Sequence, residues 1–390
     1  MTTLPPLETS ALPAGIRARF VDDVAGMRVH LLESGYETPG RPLLLLLHGF
    51  PELAYSWRRV MVPLAAAGYH VVAPDQRGYG RTTGWSDAYD QDLRPFAMLN
   101  LARDALALTY VLGYRQAAAV VGHDFGAAVA SWCALTRPDV FRRCVIMSAP
   151  FAGPPSLPYG TAAGIPSGHG DPSRASPDLD AALADLARPR KHYQRYYTTR
   201  PANADMTRAP EGVGAFLRAY FHHKSADWSD NKPFRLKDWS ADSLALMPTY
   251  YIMDRDCTMA ETVRPHLPSP GDIAACRWLT EAEMAVYTCE YGRTGFQGGL
   301  NWYRARYEPH LNADLSLYSN KAIAVPSMFV AGASDWGVYQ APGAFEKMQG
   351  EAFSAMRAAH LVPGAGHWVQ QEQPETVVEL LLDFVRSTKP

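Results

Sequence analysis

The sequence has few cysteines, and their spacing suggests neither a disulfide framework nor a zinc site. Five cysteines occur in 390 residues, at positions 133, 144, 257, 276 and 289, without a Cys-x-x-Cys pair. Domains that depend on disulfides or structural zinc carry closely and regularly spaced cysteines. We therefore expect a reducing, cytoplasmic environment and no structural metal.

The sequence also lacks an excess of either charge and any long apolar run. Lys and Arg total 37 against 39 for Asp and Glu, with no basic run of five residues, which argues against a nucleic-acid or membrane partner. The longest aliphatic run, residues 43–47, is far too short to span a bilayer. The first residues, "MTTLPPLETSALPAG", lack the pattern of a secretory signal. We expect a soluble protein acting on a small neutral molecule, and both a monomer and a homo-oligomer are compatible with the sequence.

Short apolar runs alternate with helical patterns in the first 150 residues. The runs are "MRVHLLES", "LLLLL", "YHVVAP", "AAAVVG" and "CVIMSA", and "FAMLNLARDALALTYVLGY" has helical spacing of its apolar residues. The same pattern returns near the C-terminus in "PSMFVAG" and "ETVVELLLDFVRS". This alternation predicts an α/β fold with a mostly parallel central sheet flanked by helices.

The middle of the chain differs from both ends. It begins with "PFAGPPSLPYGTAAGIPSGHGDPS", which can propagate neither a helix nor a central strand and is typical of a long tether. Helical segments rich in Tyr and Trp follow, with a second irregular stretch around "PHLPSPGD". We predict an N-terminal core part at 1–150, an inserted, mainly helical cap at 151–315, and a C-terminal core part at 316–390.

The stretch "VVGHDFGAAVA" places Asp124 between a predicted strand and a predicted helix. A side chain on such a sharp turn needs small neighbours, here Gly122 and Gly126. A carboxylate, ionised at neutral pH, can attack an sp³ carbon without a base and form an ester. Taken alone, the stretch fits equally well an aspartate that caps the following helix.

The stretch "HGFPE" follows the five-leucine strand. A glycine-containing turn beside Asp124 can aim backbone amides into the same pocket, and we predict an oxyanion hole formed by the amides of Phe50 and Phe125. An ordinary loop between a strand and a helix is the alternative for this stretch.

A base and an acid are expected late in the chain. His367, in "GAGHWVQQEQPE", occupies the place of a general base when the order is nucleophile, acid, histidine. Asp335, in "AGASDWG", follows a predicted strand and can orient the imidazole. The turn after "CVIMSA" offers only Ser148, Ala149 and Pro150 as competitors. A lone histidine is more often structural, which is the alternative here.

Together, "HGFPE", "DQRGYGRT", "GHDFG", "SDWG" and "GHW" resemble the α/β-hydrolase fold and, more narrowly, the epoxide hydrolases. The resemblance implies two cap tyrosines that hold the epoxide oxygen, Tyr193 in "HYQRYY" and Tyr303 in "TGFQGGLNWYR". It implies an epoxide and water as reactants and a vicinal diol as product. The residues expected to contact the substrate are Pro51, Trp302, Trp336 and Trp368.

The chemistry of epoxide opening gives a separate reason to expect two phenols beside the epoxide oxygen. Opening an epoxide expels an alkoxide, and a neutral tyrosine can donate a hydrogen bond or a proton to it. By composition alone, aromatic packing explains most tyrosines of the cap. No cofactor is expected, because "GYGRTTG" has the wrong spacing for dinucleotide binding and the adjacent His222 and His223 do not share a helical face.

Two other functions stay open. Haloalkane and haloacid dehalogenases look similar and also use an aspartate nucleophile, but they usually have Trp or Arg after it, where this chain has Phe125. A hydrolase-fold protein that binds a ligand without turnover is the second alternative, since a fold does not determine a function.

Overall fold

A computed structural model describes residues 4–156 and 177–389. The strands in these residues are β1 Arg17–Val24, β2 Met27–Ser34, β3 Leu43–Leu47, β4 His70–Pro74, β5 Ala117–His123, β6 Cys144–Met147, β7 Arg190–His192, β8 Ile252–Asp254, β9 Ser327–Gly332 and β10 Met356–Val362. Eight of them form one sheet in the order β1-β2-β4-β3-β5-β6-β9-β10. The pairs β1/β2 and β2/β4 are antiparallel and the other neighbours are parallel.

The central strands coincide with the apolar runs of the sequence. All five residues of both β3 and β4 are buried. Helices cover both faces of a parallel sheet, so its strands are apolar throughout rather than alternating. The six apolar runs predicted to be strands form β2, β3, β4, β5, β6 and β9, which confirms the predicted mostly parallel sheet.

The sequence analysis did not predict the two outermost strands, β1 and β10. In β1, with the sequence "RARFVDDV", only Val21 and Val24 are buried, and in β10 only Val362 is buried. An edge strand has one neighbour and a partly exposed face, so it can carry charges that hide its apolar pattern. Composition alone therefore could not show that the sheet extends beyond β2 and β9.

Helices make up most of the remaining regular structure. The α-helices in the described residues are Arg58–Ala66, Met98–Val111, Phe125–Thr136, Pro177–Ala184, Tyr193–Tyr197, Ala202–Thr207, Gly212–Lys224, Ala241–Leu244, Met259–Val263, Pro270–Ala275, Glu281–Thr294, Gln297–Arg306, Pro309–Asn312, Ala344–Lys347, Val369–Glu372 and Pro374–Ser387. Within the described ranges, none is both long and apolar enough to cross a bilayer.

The described chain between β6 and β9 forms a cap of short helices together with the antiparallel pair of strands β7 and β8. Most of the predicted tether, its residues 157–173, lies outside the described residues. The stretch "PHLPSPGD" is less irregular than expected, because Ser269 and Asp272 form a capping box that starts the helix Pro270–Ala275.

The cap helix Gln297–Arg306 contacts the core at a point where only glycine fits. A Cβ atom on Gly298 would lie 1.9 Å from the carbonyl oxygen of Gly78, and Gly78 itself has a φ of +91°. One turn further along the same helix, the indole N–H of Trp302 donates to the carbonyl of Arg77 at 2.8 Å. These contacts fix the part of the cap that carries Tyr303.

Candidate active site

Asp124 lies on the sharp turn between β5 and the helix Phe125–Thr136. Its φ of 53° and ψ of −119° are unusual for a residue with a side chain. A Cβ on Gly122 would lie 2.1 Å from the carbonyl oxygen of Gly126, and one on Gly126 would lie 2.3 Å from that of Leu47. The backbones approach too closely here for any side chain, as expected from the glycine spacing.

The Asp124 carboxylate does not cap the helix that follows it, since it makes no capping hydrogen bond. Instead its Oδ1 accepts from the Phe50 N–H at 3.0 Å, and its Oδ2 lies 3.4 Å from Nε2 of His367. Burial favours a higher pKa for Asp124, but its interaction with the nearby His367 and then the charge of Lys224 outweigh it, so the pKa lies below the usual range. The group is therefore an ionised carboxylate held toward the cap.

The expected acid lies beside the expected base. Nδ1 of His367 is 3.1 Å from Oδ1 of Asp335, which also accepts from the Gly337 N–H at 2.7 Å. Burial raises the pKa of Asp335, but the charge of His367 and hydrogen bonds from it, Ser148 and Gly337 lower it overall. The Oγ of Ser148 lies 2.8 Å from the same Nδ1 atom, a contact that the sequence analysis missed.

The carboxyl group of Glu372, a half-buried residue, holds the loop that carries His367. Oε2 of Glu372 accepts from the N–H groups of Gly366 and Ala226 at 2.9 and 2.8 Å, and its Oε1 accepts from the Trp368 N–H at 2.9 Å. Gly366 and Trp368 flank His367 in the chain, while Ala226 belongs to the cap. Glu372 thus joins the loop that carries His367 to the cap.

The cap also contacts this loop through the end of the helix Gly212–Lys224. The His367 N–H donates to the carbonyl of Lys224 at 2.8 Å, and the Trp368 indole N–H donates to that of Phe221 at 2.8 Å. The position of the imidazole therefore depends on residues of both the core and the cap.

A second buried histidine and carboxylate lie behind the first pair. Oε2 of Glu52 is 2.5 Å from Nδ1 of His123 and accepts from the Gly49 N–H at 2.9 Å, while Nε2 of His123 is 2.7 Å from the carbonyl oxygen of His367. Burial raises the pKa of Glu52, but the charge of His123 lowers it overall. Burial lowers the pKa of His123, but the charge of Glu52 raises it overall. Both residues lie in quoted motifs, yet the spacing gave no sign that they pair.

Tyr193 and Tyr303 lie together in the cap, with ring centroids 6.1 Å apart. The Tyr193 hydroxyl donates to Oε1 of Gln340 at 3.2 Å and accepts from Nε2 of Gln194 at 3.0 Å. Burial, followed by the charge of Asp124, raises the pKa of both phenols well above the usual value. Both are therefore neutral hydrogen-bond donors at physiological pH.

A cavity of about 200 Å³ brings Asp124, Tyr193 and Tyr303 to one surface. Its walls are mostly apolar or aromatic and include Phe96, Met98, Phe125, Trp132, Phe151 and Trp239. A concave apolar site with a few convergent polar groups is typical of small-molecule binding. Within the described residues, no three His, Cys, Asp or Glu side chains form a ligand set for a metal ion.

Of the four expected substrate contacts, only Trp302 lines this cavity. Pro51 follows the Phe50–Pro51 cis peptide and does not line it. Trp336 is buried against Phe234 at 4.9 Å, and Trp368 is stacked on Phe221 at 4.3 Å between ring centroids. Pro51, Trp336 and Trp368 thus lie outside the lining of this cavity, and both indoles pack within the fold.

Known proteins resemble this chain over most of its length. The alpha/beta hydrolase fold family model matches residues 42–171. Epoxide hydrolase B of Mycobacterium tuberculosis is 34% identical over 370 residues, which cover 94% of this chain and 97% of that protein. Epoxide hydrolase A of the same organism is 32% identical over 365 residues, which cover 93% and 95%.

Solved structures agree with these sequence relatives. An epoxide hydrolase from an endophytic Streptomyces superposes with a TM-score of 0.75 and 30% identity, covering 96% of both chains. Potato (Solanum tuberosum) epoxide hydrolase I superposes with a TM-score of 0.70 and 27% identity, covering 96% of this chain and 100% of that one. The predicted fold is confirmed, and the chain belongs to the epoxide hydrolases, a family of enzymes with the α/β-hydrolase fold.

Proposed function

We propose that this enzyme converts small-molecule epoxides to vicinal diols through a covalent ester on Asp124. The observation that carries the proposal is the placement of one carboxylate between two sets of groups. Asp124 opens into the cavity shared with Tyr193 and Tyr303, and its Oδ2 lies 3.4 Å from Nε2 of His367. The first set suits ring opening, and the second suits hydrolysis of the ester.

In the first step, an oxygen of Asp124 attacks a ring carbon of the epoxide. The new C–O bond forms as the ring C–O bond breaks, and the ring oxygen leaves as an alkoxide. A phenol of Tyr193 or Tyr303 gives its proton to this oxygen, because both phenols are neutral and line the cavity. The product is a hydroxyalkyl ester, with a tyrosinate in the cap.

In the second step, His367 takes a proton from a water molecule whose oxygen adds to the ester carbonyl. The Phe50 N–H, already 3.0 Å from Oδ1 of Asp124, stabilises the developing oxyanion together with the amide of Phe125. Asp335 stabilises the imidazolium. As the ester bond breaks, the imidazolium protonates the departing diol oxygen, and the acid proton left on Asp124 restores the phenol. The net reaction consumes one water molecule.

Dehalogenation fits the same nucleophile less well. A halide leaving group needs N–H donors. The side chain of Phe125 has none, and the indole N–H of Trp302 already donates a hydrogen bond to the carbonyl of Arg77. The polar groups that the cap presents beside Asp124 include two phenols, which suit an oxygen leaving group. Binding without turnover is disfavoured because the imidazole of His367 lies 3.4 Å from the carboxylate of Asp124 on one side and 3.1 Å from that of Asp335 on the other.

Intact-protein mass spectrometry with styrene oxide tests the proposal. The variant His367→Gln should gain the mass of one epoxide and keep it, because the ester forms but is not hydrolysed. Asp124→Asn should gain nothing. The matched control His310→Gln changes an exposed histidine, with 72% of its side chain accessible, and should turn over normally. A folded His367→Gln protein that never carries an adduct over a broad epoxide panel would refute the ester mechanism.

A further inference from the structure

Lys224 is a buried cation with an unusual environment. Its residue is only 3% exposed, at the end of the cap helix Gly212–Lys224. In the part of the chain that the structure describes, its ammonium group makes neither a hydrogen bond nor an ion pair. It lies 5.1–5.7 Å from the centroids of four aromatic rings, those of Tyr220, Tyr250, Tyr251 and Trp368. Buried charges are normally paired, so an ammonium held only by rings calls for another counter-charge.

Three carboxylates of the candidate active site supply that counter-charge. The ammonium interacts at longer range with the carboxylates of Asp124, Asp335 and Glu52, which partly offset the lowering of the Lys224 pKa by burial. Burial lowers the pKa of His223 on the same helix, and the charge of Lys224 contributes to this lowering. The backbone of Lys224 touches the site directly, because its carbonyl accepts from the His367 N–H at 2.8 Å. Lys224 is thus joined through its backbone to the loop that carries His367, and its ammonium group interacts with the charge of Asp124 without lining the cavity.

The charge of Asp124 changes during the proposed cycle. Attack on the epoxide turns a carboxylate into a neutral ester, and hydrolysis turns the ester back into a carboxylate. A fixed positive charge nearby stabilises the carboxylate and does nothing comparable for the ester. It therefore lowers the barrier to the step that restores the negative charge and makes the ester less stable relative to the free enzyme.

We propose that Lys224 is a positioning residue that acts electrostatically through Asp124 and drives the covalent cycle toward ester hydrolysis, so that little ester accumulates. This inference rests on the proposed ester mechanism. It assigns Lys224 no contact with the substrate and no proton transfer. The bonds that form and break are those of the two steps given above.

The test measures the two steps separately. Rapid quenching with styrene oxide, followed by intact-protein mass spectrometry, gives the rate of ester formation and the rate of its loss. In Lys224→Met, which keeps the length of the side chain, ester loss should slow on the order of tenfold, since one pKa unit of interaction corresponds to a factor of ten. Ester formation should not slow, and the fraction of enzyme present as ester at steady state should rise.

Two further variants separate charge from packing. Lys224→Arg keeps the positive charge and should restore ester loss to within about threefold of the wild-type rate, whereas a packing defect would persist. Lys321→Met removes a lysine that lies 5.6 Å from the Tyr318 ring, outside the cavity, and should change neither rate. Lys224→Gln provides a second neutral variant should Lys224→Met not fold.

The outcomes distinguish this inference from the ester mechanism itself. An unchanged rate of ester loss in a folded, neutral variant overturns the role of Lys224 while leaving the mechanism intact. Equal slowing of both steps also overturns it, because a structural defect acts on both. Absence of any adduct in wild type and in His367→Gln instead refutes the mechanism on which the inference rests.

Discussion

Nε2 of His367 lies 3.4 Å from Oδ2 of Asp124, close enough for charge interaction but without a well-formed hydrogen bond. The other ring nitrogen, Nδ1, is held by Asp335 and Ser148. One side of the imidazole is therefore fixed, and the side that faces the nucleophile keeps a free hydrogen-bonding position. A base that has to hold a water molecule against an ester needs this asymmetry.

The first prediction concerns the fixed side. In Asp335→Asn, the neutral amide cannot stabilise the imidazolium that forms as water is deprotonated, so turnover should fall by roughly 10²- to 10⁴-fold. Ester formation should continue, so that the adduct accumulates in quenched samples. If Asp335→Asn slowed ester formation as much as ester loss, the acid would not belong to the hydrolytic step.

The second prediction concerns the phenols. Tyr303→Phe and Tyr193→Phe should each slow ester formation by at least about tenfold, and the double variant should be almost inactive, because the described residues that line the cavity include no further phenol. Stopped-flow or quenched-flow measurement of ester formation checks this. Tyr196→Phe is the matched control, since the Tyr196 hydroxyl donates to Asp205 outside the cavity. Two silent single variants would count against an epoxide as substrate.

The third prediction concerns the turn at the nucleophile. In Gly126→Ala the new Cβ would lie 2.3 and 2.5 Å from the carbonyl oxygens of Leu47 and His48, and backbone atoms in a central strand cannot move away. We expect a loss of about 3 kcal/mol in the free energy of unfolding. Gly292→Ala, in the helix Glu281–Thr294 with nothing within 4 Å of the added Cβ, should instead gain about 0.5–1 kcal/mol. Denaturant unfolding of both variants measures the contrast.

The fourth prediction concerns pH and the antiparallel edge of the sheet. Burial alone would raise the pKa of Glu33 on β2, but hydrogen bonds from His70, Arg19 and Arg17 lower it from 4.5 to about 2. A lowered folded-state pKa gives stability that is fully present above pH 4.5 and is lost as the pH falls toward 2.

The contribution of Glu33 should amount to about 3 kcal/mol at neutral pH, of which roughly 2 kcal/mol should be lost between pH 6 and pH 3. Unfolding free energies of wild type and Glu33→Gln, measured across this range, isolate the group. The difference between the two proteins should shrink as the pH falls. A difference that stays constant with pH would show that Glu33 contributes by packing and not by charge.

The sequence predicted those parts of the molecule that depend on local pattern. The apolar runs marked six strands of the sheet, and the glycines around Asp124 marked its turn, because these features depend on near neighbours in the chain. The edge strand β1 carries too many charges to show an apolar run. The cap tyrosines were reached only through the resemblance to a family, since composition favoured aromatic packing.

The supporting contacts of the site could not be predicted, because they join residues far apart in the chain. Ser148 and His367 are separated by 219 positions, and His123 and Glu52 by 71. The burial of Lys224 could not be predicted either, because it depends on rings that lie far along the chain, such as Trp368. The sequence places Trp336 and Trp368 next to Asp335 and His367, but it could not show that both indoles are buried in the packing of the fold.

The carboxylate of Glu372 has a practical consequence for engineering. Glu372 accepts hydrogen bonds from Gly366 and Trp368, on either side of His367, and from Ala226 in the cap. The cap and the loop that carries His367 are therefore expected to move together. A displacement of the cap on this side would also displace the imidazole of His367 from Asp124. Chimaeras that exchange caps between related enzymes should therefore retain the most activity when the segment from Gly366 to Glu372 is exchanged together with the cap.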